Sequence, residues 1–496
     1  MVERLEVAIE AHRQAHPEAA FPLLPHRRET LHRRFQALFF APLFGIHALT
    51  EFDRREHALV SLLGGGYQST TLNQFLGQWE RIDAAKALMP ALSVARCGAL
   101  NYVDGHLIAY WNRVAMHKGK ITMLGRIMAG SQAVITHDER GQARFVEYYP
   151  PDVQLSQIIV GYCQQVSGVT GSSLFVIDRA VNSVALAAEF TAHQLGLLSM
   201  LDDNEYQGLA SFEATWLETL DDGTELYSGQ WKVARPDDPR RFVITVPVDG
   251  KPLVYWATER FVSALTMNRW PAVYRARNEI QENQFKRMIE HGALNTNYGR
   301  KKLIGPDRHQ QRKQAVLDQA REATGQKLDN KAEQFNGQQE KVAKSVAKGH
   351  GKRLEQRQRT LGVLEKEVHE LQHKRNQLAA QAEALGPPGQ RADRDFRKQS
   401  IMTFRTLLLE NTLDTFLAAV CARLSTTVSL GALLSLLFER SGGRIETPSE
   451  LFYWLNTEGL SLPNRRLLAQ MVDALCAMDL RHQGKPIRVG LRDRPP

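Results

Sequence analysis

The chain is poor in cysteine and has no long uninterrupted apolar run. Its 496 residues include 4 cysteines, scattered at positions 97, 163, 421 and 476, without a CxxC pair. This scatter argues against a disulfide framework or a thiolate zinc site and favours a reducing compartment. The first 21 residues lack the apolar core of a signal peptide, and polar residues interrupt the most apolar stretches. We therefore expect a soluble intracellular protein without a membrane partner.

Outside one segment, the numbers of basic and acidic residues are equal. The chain carries 63 basic and 54 acidic residues, a net charge of +9, and residues 301–400 hold 22 of the basic and 13 of the acidic ones. All of the excess positive charge therefore lies in this segment. It is expected to attract a polyanion such as DNA, although a long exposed helix that carries Lys and Arg for solubility has the same composition.

The pattern of apolar residues divides the chain into four regions. Residues 1–95 show helical spacing, and they could be a DNA-end-binding module or a plain helical packing domain. Residues 96–300 mix hairpin strands with strand–helix alternation and contain a β-rich insertion at 203–262. Residues 301–390 form the basic segment, and residues 391–496 read as mainly helical, with a short basic strand near the end. The expected fold class is α/β, with a sheet covered by helices.

A heptad pattern within the basic segment predicts a short coiled coil. Leucine, valine and alanine recur at 4-3 spacing on two registers, which are Leu354, Leu361, Val368 and Ala382, and Leu364, Leu371, Leu378 and Leu385. The sequence Gly-Pro-Pro-Gly at 386–389 ends the pattern. The heptads are compatible with a dimer and equally with an intramolecular helical hairpin.

Carboxylates stand at the ends of two predicted strands. Asp104 falls in an apolar-rich run, and Asp178 directly follows the buried run 174–177. Glu282 lies on a helix predicted to open at Pro271 and to run towards Gly292. Three such carboxylates can form a cage of hard oxygen ligands for Mg²⁺ or Mn²⁺. Taken singly, each carboxylate also has an explanation without function. Asp104 could belong to an Asp-Gly turn, Asp178 could cap the following turn, and Glu282 could be a solvated helix residue.

The residues around these carboxylates resemble, in order, the three acidic motifs of bacterial insertion-sequence transposases of the DDE class. The second motif is similar to the family's Asp-Arg-x-x-x-Ser element, here Asp178, Arg179 and Ser183. The third resembles the family's tyrosine–arginine–glutamate–lysine helix, here Tyr274, Arg277, Glu282 and Lys286. A β-rich insertion between the second Asp and the Glu is also typical of this group.

The third motif departs from the usual spacing. The family keeps three residues between Arg and Glu and six between Glu and Lys, whereas four residues separate Arg277 from Glu282 and three separate Glu282 from Lys286. Glu279 is a rival ligand, because residues three apart share a face of an α-helix. Glu282 is preferred, since its neighbours fit the motif better.

The resemblance implies an RNase H-like core in which Asp104, Asp178 and Glu282 are catalytic and bind two ions of Mg²⁺ or Mn²⁺. It implies double-stranded DNA as the partner, as element ends and as target, and a homodimer in the DNA complex. The protein would then be cytoplasmic and associated with the nucleoid.

The remaining motif residues are expected to surround this cage. Arg179, Arg277 and Lys286 are expected to contact phosphates, and Tyr274 a base or a phosphate, unless it is a core tyrosine. His106 is expected to lie beside the metal site without ligating, because Mg²⁺ prefers oxygen.

The function implied is a DNA transposase that cleaves and joins insertion-sequence ends. The alternatives are a metal-dependent nuclease without strand transfer, and an inactive or domesticated relic that acts as a DNA-binding coiled-coil protein.

Overall fold

A computed structural model describes most of the chain. The described residues are 2–16, 28–54, 68–93, 98–111, 115–121, 124–233, 235–290, 294–295, 298, 301–347, 351–482 and 484–493. Among them, no helix is long and apolar enough to cross a membrane. Cys97 and the predicted helix end near Gly292 lie outside these residues.

The α-helices belong mainly to the two ends of the chain and to the basic segment. In chain order they are α1 (Val2–Ala15), α2 (Arg28–Phe40), α3 (Ser69–Arg81), α4 (Ala84–Leu88), α5 (Leu155–Thr170), α6 (Val184–Ala192), α7 (Glu259–Val262), α8 (Trp270–Arg277), α9 (Asn283–Glu290), α10 (Arg308–Ala347), α11 (Gly351–Leu385), α12 (Arg397–Cys421), α13 (Leu430–Leu433) and α14 (Leu462–Ala477). Two π-helical segments, Asn278–Glu282 and Leu434–Phe438, continue α8 and α13.

The strands are concentrated in the middle and near the end of the chain. They are β1 (Leu100–Ala109), β2 (Lys118–Ile121), β3 (Arg126–Asp138), β4 (Ala143–Tyr149), β5 (Leu174–Ile177), β6 (Gly196–Met200), β7 (Phe212–Thr219), β8 (Glu225–Trp231), β9 (Arg241–Val246), β10 (Leu253–Ala257), β11 (Lys302–Pro306), β12 (Gln390–Arg394), β13 (Gly442–Glu446), β14 (Leu451–Asn456), β15 (Arg481–His482) and β16 (Lys485–Arg492).

A ten-stranded mixed sheet forms the centre of the molecule. Its order is β2-β3-β1-β5-β6-β10-β9-β8-β7, and β4 pairs with β3. β1, β3 and β4 are antiparallel, whereas β5 and β6 run parallel to β1 and are reached through α5 and α6. This confirms the expected α/β class with a sheet covered by helices. The predicted β-rich insertion extends the same sheet, because β10 pairs with β6; β7 was not predicted.

Local sequence explains the elements that carry the centre of the sheet. β5 is apolar throughout because helices cover both of its faces. The turn between β3 and β4 contains Gly141 at a φ of 78°, a left-handed conformation that glycine adopts without strain. α6 begins at Ser183, whose hydroxyl accepts a hydrogen bond from the backbone N–H of Leu186. The structure thus gives the Ser of the second motif a capping role.

The sheet separates two hydrophobic cores. Side chains alternate along each strand, so that Val103, Phe175 and Ile177 face α5 and α6. Tyr102 and Val176 point the other way and pack with α7 and α8. Asp104 and Asp178 are two residues beyond Tyr102 and Val176. Both aspartates therefore lie on the face that α8 covers.

The helices of residues 1–95 share the larger core. Leu31, Phe35 and Leu76 pack in one cluster with Phe404 and Leu407 of α12, the central helix of this layer. α12 also contacts β4, α2, α3 and α4. The described part of this region is therefore packed against the central sheet.

The basic segment folds back on itself. α10 and α11 form a helical hairpin, in which Lys331 Nζ lies 2.7 Å from Glu367 Oε2. At its base, the amide of Gln310 donates to the carbonyl oxygen of Leu385 (2.7 Å), and β11 pairs with β12. The apolar heptad positions of α11 are half-buried against α10, apart from Ala382, which is buried. Of the two assemblies that the heptads allow, the structure contains the intramolecular one.

The prediction that residues 391–496 are helical was wrong in part. β13, β14, β15 and β16 form a four-stranded sheet in the order β13-β14-β16-β15, and α14 packs on it. Arginine and glycine residues in β13 and β16 weaken the apolar alternation that marks a strand, whereas β14 is rich in apolar and aromatic residues. In addition, the parallel partners β14 and β16 are separated in sequence by α14, so local sequence carries no sign of their pairing.

Candidate active site

The two aspartates that were predicted at strand ends are neighbours in the sheet. The prediction was wrong for Asp104, which lies within β1 because this strand continues to Ala109, whereas Asp178 directly follows β5. In the parallel pair β1–β5, Val103 is the partner of Ile177, so the next positions, Asp104 and Asp178, lie side by side. Neighbouring strands are about 4.8 Å apart. The register therefore brings together two carboxylates that are far apart in sequence.

Arg277 at the end of α8 connects the two carboxylates. Its Nη1 lies 3.2 Å from Asp104 Oδ2, and its Nη2 lies 3.4 Å from Asp178 Oδ1. The Arg277 side chain is only 13% exposed. The sequence predicted Arg277 as a phosphate contact, whereas here its guanidinium neutralises the aspartates.

Burial dominates the electrostatics of Asp104. It raises the pKa of Asp104 to about 6, an effect that Arg277 and the backbone N–H of Gly105 oppose and that the charges of Asp178 and Glu282 reinforce. The Gly105 N–H donates to Asp104 Oδ1 over 2.8 Å. A carboxylate in this position is stabilised by any additional positive charge.

Asp178 is held from two sides. Its Oδ1 accepts hydrogen bonds from the backbone N–H of Arg179 (2.8 Å) and from the hydroxyl of Tyr274 (3.2 Å). Tyr274 is buried, and burial is the main cause of its raised pKa, with the charge of Asp178 as the next cause. Tyr274 is thus a core tyrosine that orients a carboxylate, one of the two interpretations that its sequence allowed.

Glu282 ends the π-helical segment that follows α8. In a π-helix, hydrogen bonds join residues five apart, so Arg277 and Glu282 lie above one another as residues four apart do in an α-helix. Glu282 is exposed and is one of the charges that raise the pKa of Asp104. Glu279 is also exposed, but residues three apart diverge where the helix is wound more loosely. The expectation that Glu279 and Glu282 share a face was derived for an α-helix and does not hold in this segment.

Arg179 and Lys286 lie at the rim. Both side chains are exposed, Arg179 next to Asp178 and Lys286 on α9, one turn after Glu282. Neither contacts the carboxylates in the way that Arg277 does.

Two buried histidines anchor α9 to the sheet through Phe285. The His106 ring stacks on Phe285 with centroids 5.3 Å apart, and His137 meets the same ring edge-on at 6.0 Å. His106 Nε2 is 2.8 Å from Asn295 Oδ1. Burial lowers the pKa of both histidines, that of His137 to about 4. The contacts of His106 with Phe285 and Asn295 were not evident in the sequence.

A partly buried ion-pair cluster holds the other side of α9. Arg287 Nη2 lies 2.9 Å from Glu410 Oε2 and 2.7 Å from Asp414 Oδ1, both on α12. Burial raises the pKa of Glu410 to about 7, although Arg287 opposes this shift. Arg287 follows Glu282 by five residues, so the cluster ties the helix that carries the third carboxylate to the central helix.

The side chains at this site carry oxygen atoms of the type that binds divalent cations, but these atoms are not arranged as a complete metal site. Asp104 and Asp178 offer adjacent hard oxygen atoms, and burial raises the pKa of Asp104 although Arg277 opposes this shift. Across the part of the chain that the structure describes, no cluster of three or more histidine, cysteine or acidic side chains has the geometry of a metal site. The Arg277 guanidinium lies on the carboxylate pair.

The chain matches no model of a known protein family, and it matches no curated protein.

Proposed function

We propose that this protein is a DNA transposase of the DDE class, which cleaves the ends of a mobile element and joins them to target DNA. One observation carries the proposal: Asp104 on β1 lies beside Asp178, which directly follows the adjacent parallel strand β5, with Arg277 across both and Glu282 one π-turn further on. These four residues belong to three motifs that are widely separated in the sequence, and they meet on one face of the sheet.

The topology of the sheet supports an RNase H-like core. The antiparallel strands β1, β3 and β4 are extended by the parallel strands β5 and β6, each preceded by a crossover helix. The first acidic residue lies on the first strand, the second directly follows β5, and the third is on a helix that packs across both.

The π-segment supports the assignment of the third motif. The spacing from Arg277 to Glu282 is one residue longer than in the transposase family, and a π-turn accommodates one extra residue without rotating the rest of the helix away. π-bulges are frequent at functional sites. The longer spacing from Arg277 to Glu282 is therefore compensated in the local structure, whereas the π-segment does not account for the shorter spacing from Glu282 to Lys286.

Asp104, Asp178 and Glu282 would hold the divalent cations, Mg²⁺ or Mn²⁺, of which two are expected. When bound, such cations activate the attacking oxygen and stabilise the leaving oxygen of a phosphodiester, so that no covalent protein–DNA intermediate is needed. Tyr274 fixes the orientation of Asp178, and the Gly105 N–H fixes that of Asp104.

The cationic residues would bind the DNA strand. Once the carboxylates have another countercharge, the Arg277 guanidinium is available to a phosphate oxygen, and Arg179 and Lys286 already face solvent at the rim. The basic α10–α11 hairpin extends the surface available to duplex DNA. We further propose that two copies act together, since two element ends must be held in one complex.

Excision from a donor plasmid that carries this gene with its native flanks tests the proposal. We expect excision by the wild type and none by Asp178→Ala or Glu282→Gln. Glu279→Gln is the matched control, since it removes an equal charge three residues away on the same segment, and it should excise normally. Undiminished excision by Asp178→Ala would overturn the site. Loss with Glu279→Gln alone would move the third carboxylate to Glu279.

Cleavage of donor DNA without joined products would instead favour the nuclease. Absence of cleavage by the wild type, with duplex binding retained, would favour the inactive relic. In both cases the donor DNA is analysed for double-strand ends and for new junctions.

A further inference from the structure

The two faces of the C-terminal sheet differ in character. Leu455, Val489 and Leu491 point to one face, where they pack with Leu468 and Met471 of α14. The pleat sends the alternate residues of the same strands to the other face. That face carries aromatic rings, arginines and glycines, and we call it the C-terminal platform. Its strand positions are Gly443, Ile445, Phe452, Trp454, Asn456, Arg481, Pro486, Arg488, Gly490 and Arg492.

Glycines make room for two rings on the C-terminal platform. A Cβ atom at Gly443 would come within 2.3 Å of the Trp454 indole nitrogen, and one at Gly490 within 2.7 Å of the Phe452 ring. The rings therefore lie over the neighbouring strands. Trp454 is buried, 8% exposed, whereas Phe452 is half-buried and open to a ligand.

All charged strand positions of the C-terminal platform are arginines. They are Arg481, Arg488 and Arg492, and no carboxylate belongs to this set. Arg481 pairs with Asp479 in the turn before β15, whereas Arg488 is exposed. The Arg492 guanidinium lies 5.7 Å from the centre of the Phe452 ring. An aromatic ring thus stands between cationic groups on an open surface.

We propose that the C-terminal platform binds single-stranded nucleic acid, with a base stacked on Phe452 and the adjoining phosphates on Arg488 and Arg492. Stacking on aromatic side chains combined with phosphate contacts is how proteins bind unpaired strands. A nucleic-acid duplex does not suit this surface, because the Phe452 ring can stack only on a base that is not already stacked between its neighbours in a double helix. The site is separate from the carboxylates of Asp104 and Asp178 and does not depend on them.

Fluorescence anisotropy of the full-length protein with a labelled 15-nucleotide oligothymidylate, without metal ions, tests the proposal. Phe452→Leu keeps an apolar side chain but removes the stacking surface, and we expect affinity to fall by about 5-fold to 150-fold. Phe452→Tyr retains the ring and should bind as the wild type does. Replacing Arg488 and Arg492 with Gln should lower the salt slope of binding by about 1.4, since two phosphate contacts are lost.

Matched controls separate this site from the rest of the molecule. Arg466→Gln removes an exposed arginine from α14, which packs on the opposite face, and should leave binding unchanged. Asp178→Ala should also bind normally, so that failure of the transposase proposal and failure of this one are distinguishable. Thermal unfolding of each variant shows that it is folded.

The proposal is overturned if folded Phe452→Leu binds the oligonucleotide as tightly as the wild type, or if an unlabelled duplex of equal length competes as well as the single strand. Competition by oligouridylate shows whether the ligand is RNA or DNA. Stronger competition by oligouridylate assigns the C-terminal platform to RNA, and stronger competition by oligothymidylate assigns it to DNA.

Discussion

Replacing Asp104 with asparagine is expected to stabilise the folded protein near neutral pH. The pKa of Asp104 is about 6 in the folded state, whereas the ordinary value of an aspartate is 3.8, so the fold disfavours the charged carboxylate by about two pKa units. At 1.36 kcal/mol per unit, this corresponds to about 3 kcal/mol at pH 8. The Asp104 side chain is 27% exposed, which makes that figure an upper value. Asparagine resembles the protonated acid and avoids the penalty.

The sign of the pH dependence follows from proton linkage. Between about pH 4 and pH 6 the folded state retains the proton on Asp104 that the unfolded chain has lost, so the free energy of unfolding of the wild type decreases as pH rises through this range. Asp104→Asn lacks this decrease. The two proteins should therefore differ by up to about 3 kcal/mol at pH 8 and hardly at all near pH 4.

Urea unfolding of both proteins at pH 8 and pH 4 measures this difference, with Asp221→Asn in an exposed turn as the control. Adding Mg²⁺ at pH 8 should stabilise the wild type and not Asp104→Asn, because a ligand stabilises only the state that binds it. An Asp104→Asn protein that is less stable than the wild type at pH 8, or a difference that does not change with pH, would refute the reasoning.

Three further predictions concern Arg277, Arg287 and the α10–α11 hairpin. Arg277→Gln removes a positive charge that lies on Asp104, so the pKa of Asp104 should rise above 6 by about 1–3 pKa units. The pH dependence of urea unfolding measures this pKa, and an unchanged value would show that the ion pair is weak. Arg287→Ala leaves the carboxylates of Glu410 and Asp414 without their cation and should destabilise the fold by about 3 kcal/mol at pH 8, with a smaller loss at pH 5, measured by the same method. Deleting the α10–α11 hairpin should weaken duplex binding and flatten its salt dependence, measured by anisotropy at 50–200 mM salt; an identical slope would assign the hairpin to folding alone.

Local sequence was sufficient where one element depends on its own residues. The continuous apolar run of β5 predicted a strand buried on both faces, and the helix α5 and the β3–β4 hairpin followed from periodicity and turn residues. In each case burial and turn geometry are already encoded in a few neighbouring residues. Asp178 could be placed at the end of a strand for the same reason.

Other features were out of reach of a local pattern. β7 is largely exposed, so burial does not mark it, although the alternation of apolar and polar residues from Phe212 to Trp216 is typical of a strand. The C-terminal sheet is assembled across α14. The π-segment after α8 is a change of helical winding that spacing alone did not indicate. The heptads of α11 predicted a helix with an apolar face, but only its packing on α10 showed that the partner helix belongs to the same chain.

The sequence by itself determined the α/β class, the charge of the hairpin and the carboxylates worth examining, because composition and short-range periodicity depend on the order of residues alone. Only the tertiary structure decided that Asp104 and Asp178 are adjacent, that Arg277 lies across both, and that the charge of Glu282 acts on Asp104. These relations depend on strand register, on helix winding and on the burial of charge. Each of those arises only when segments that are distant in the sequence pack against one another.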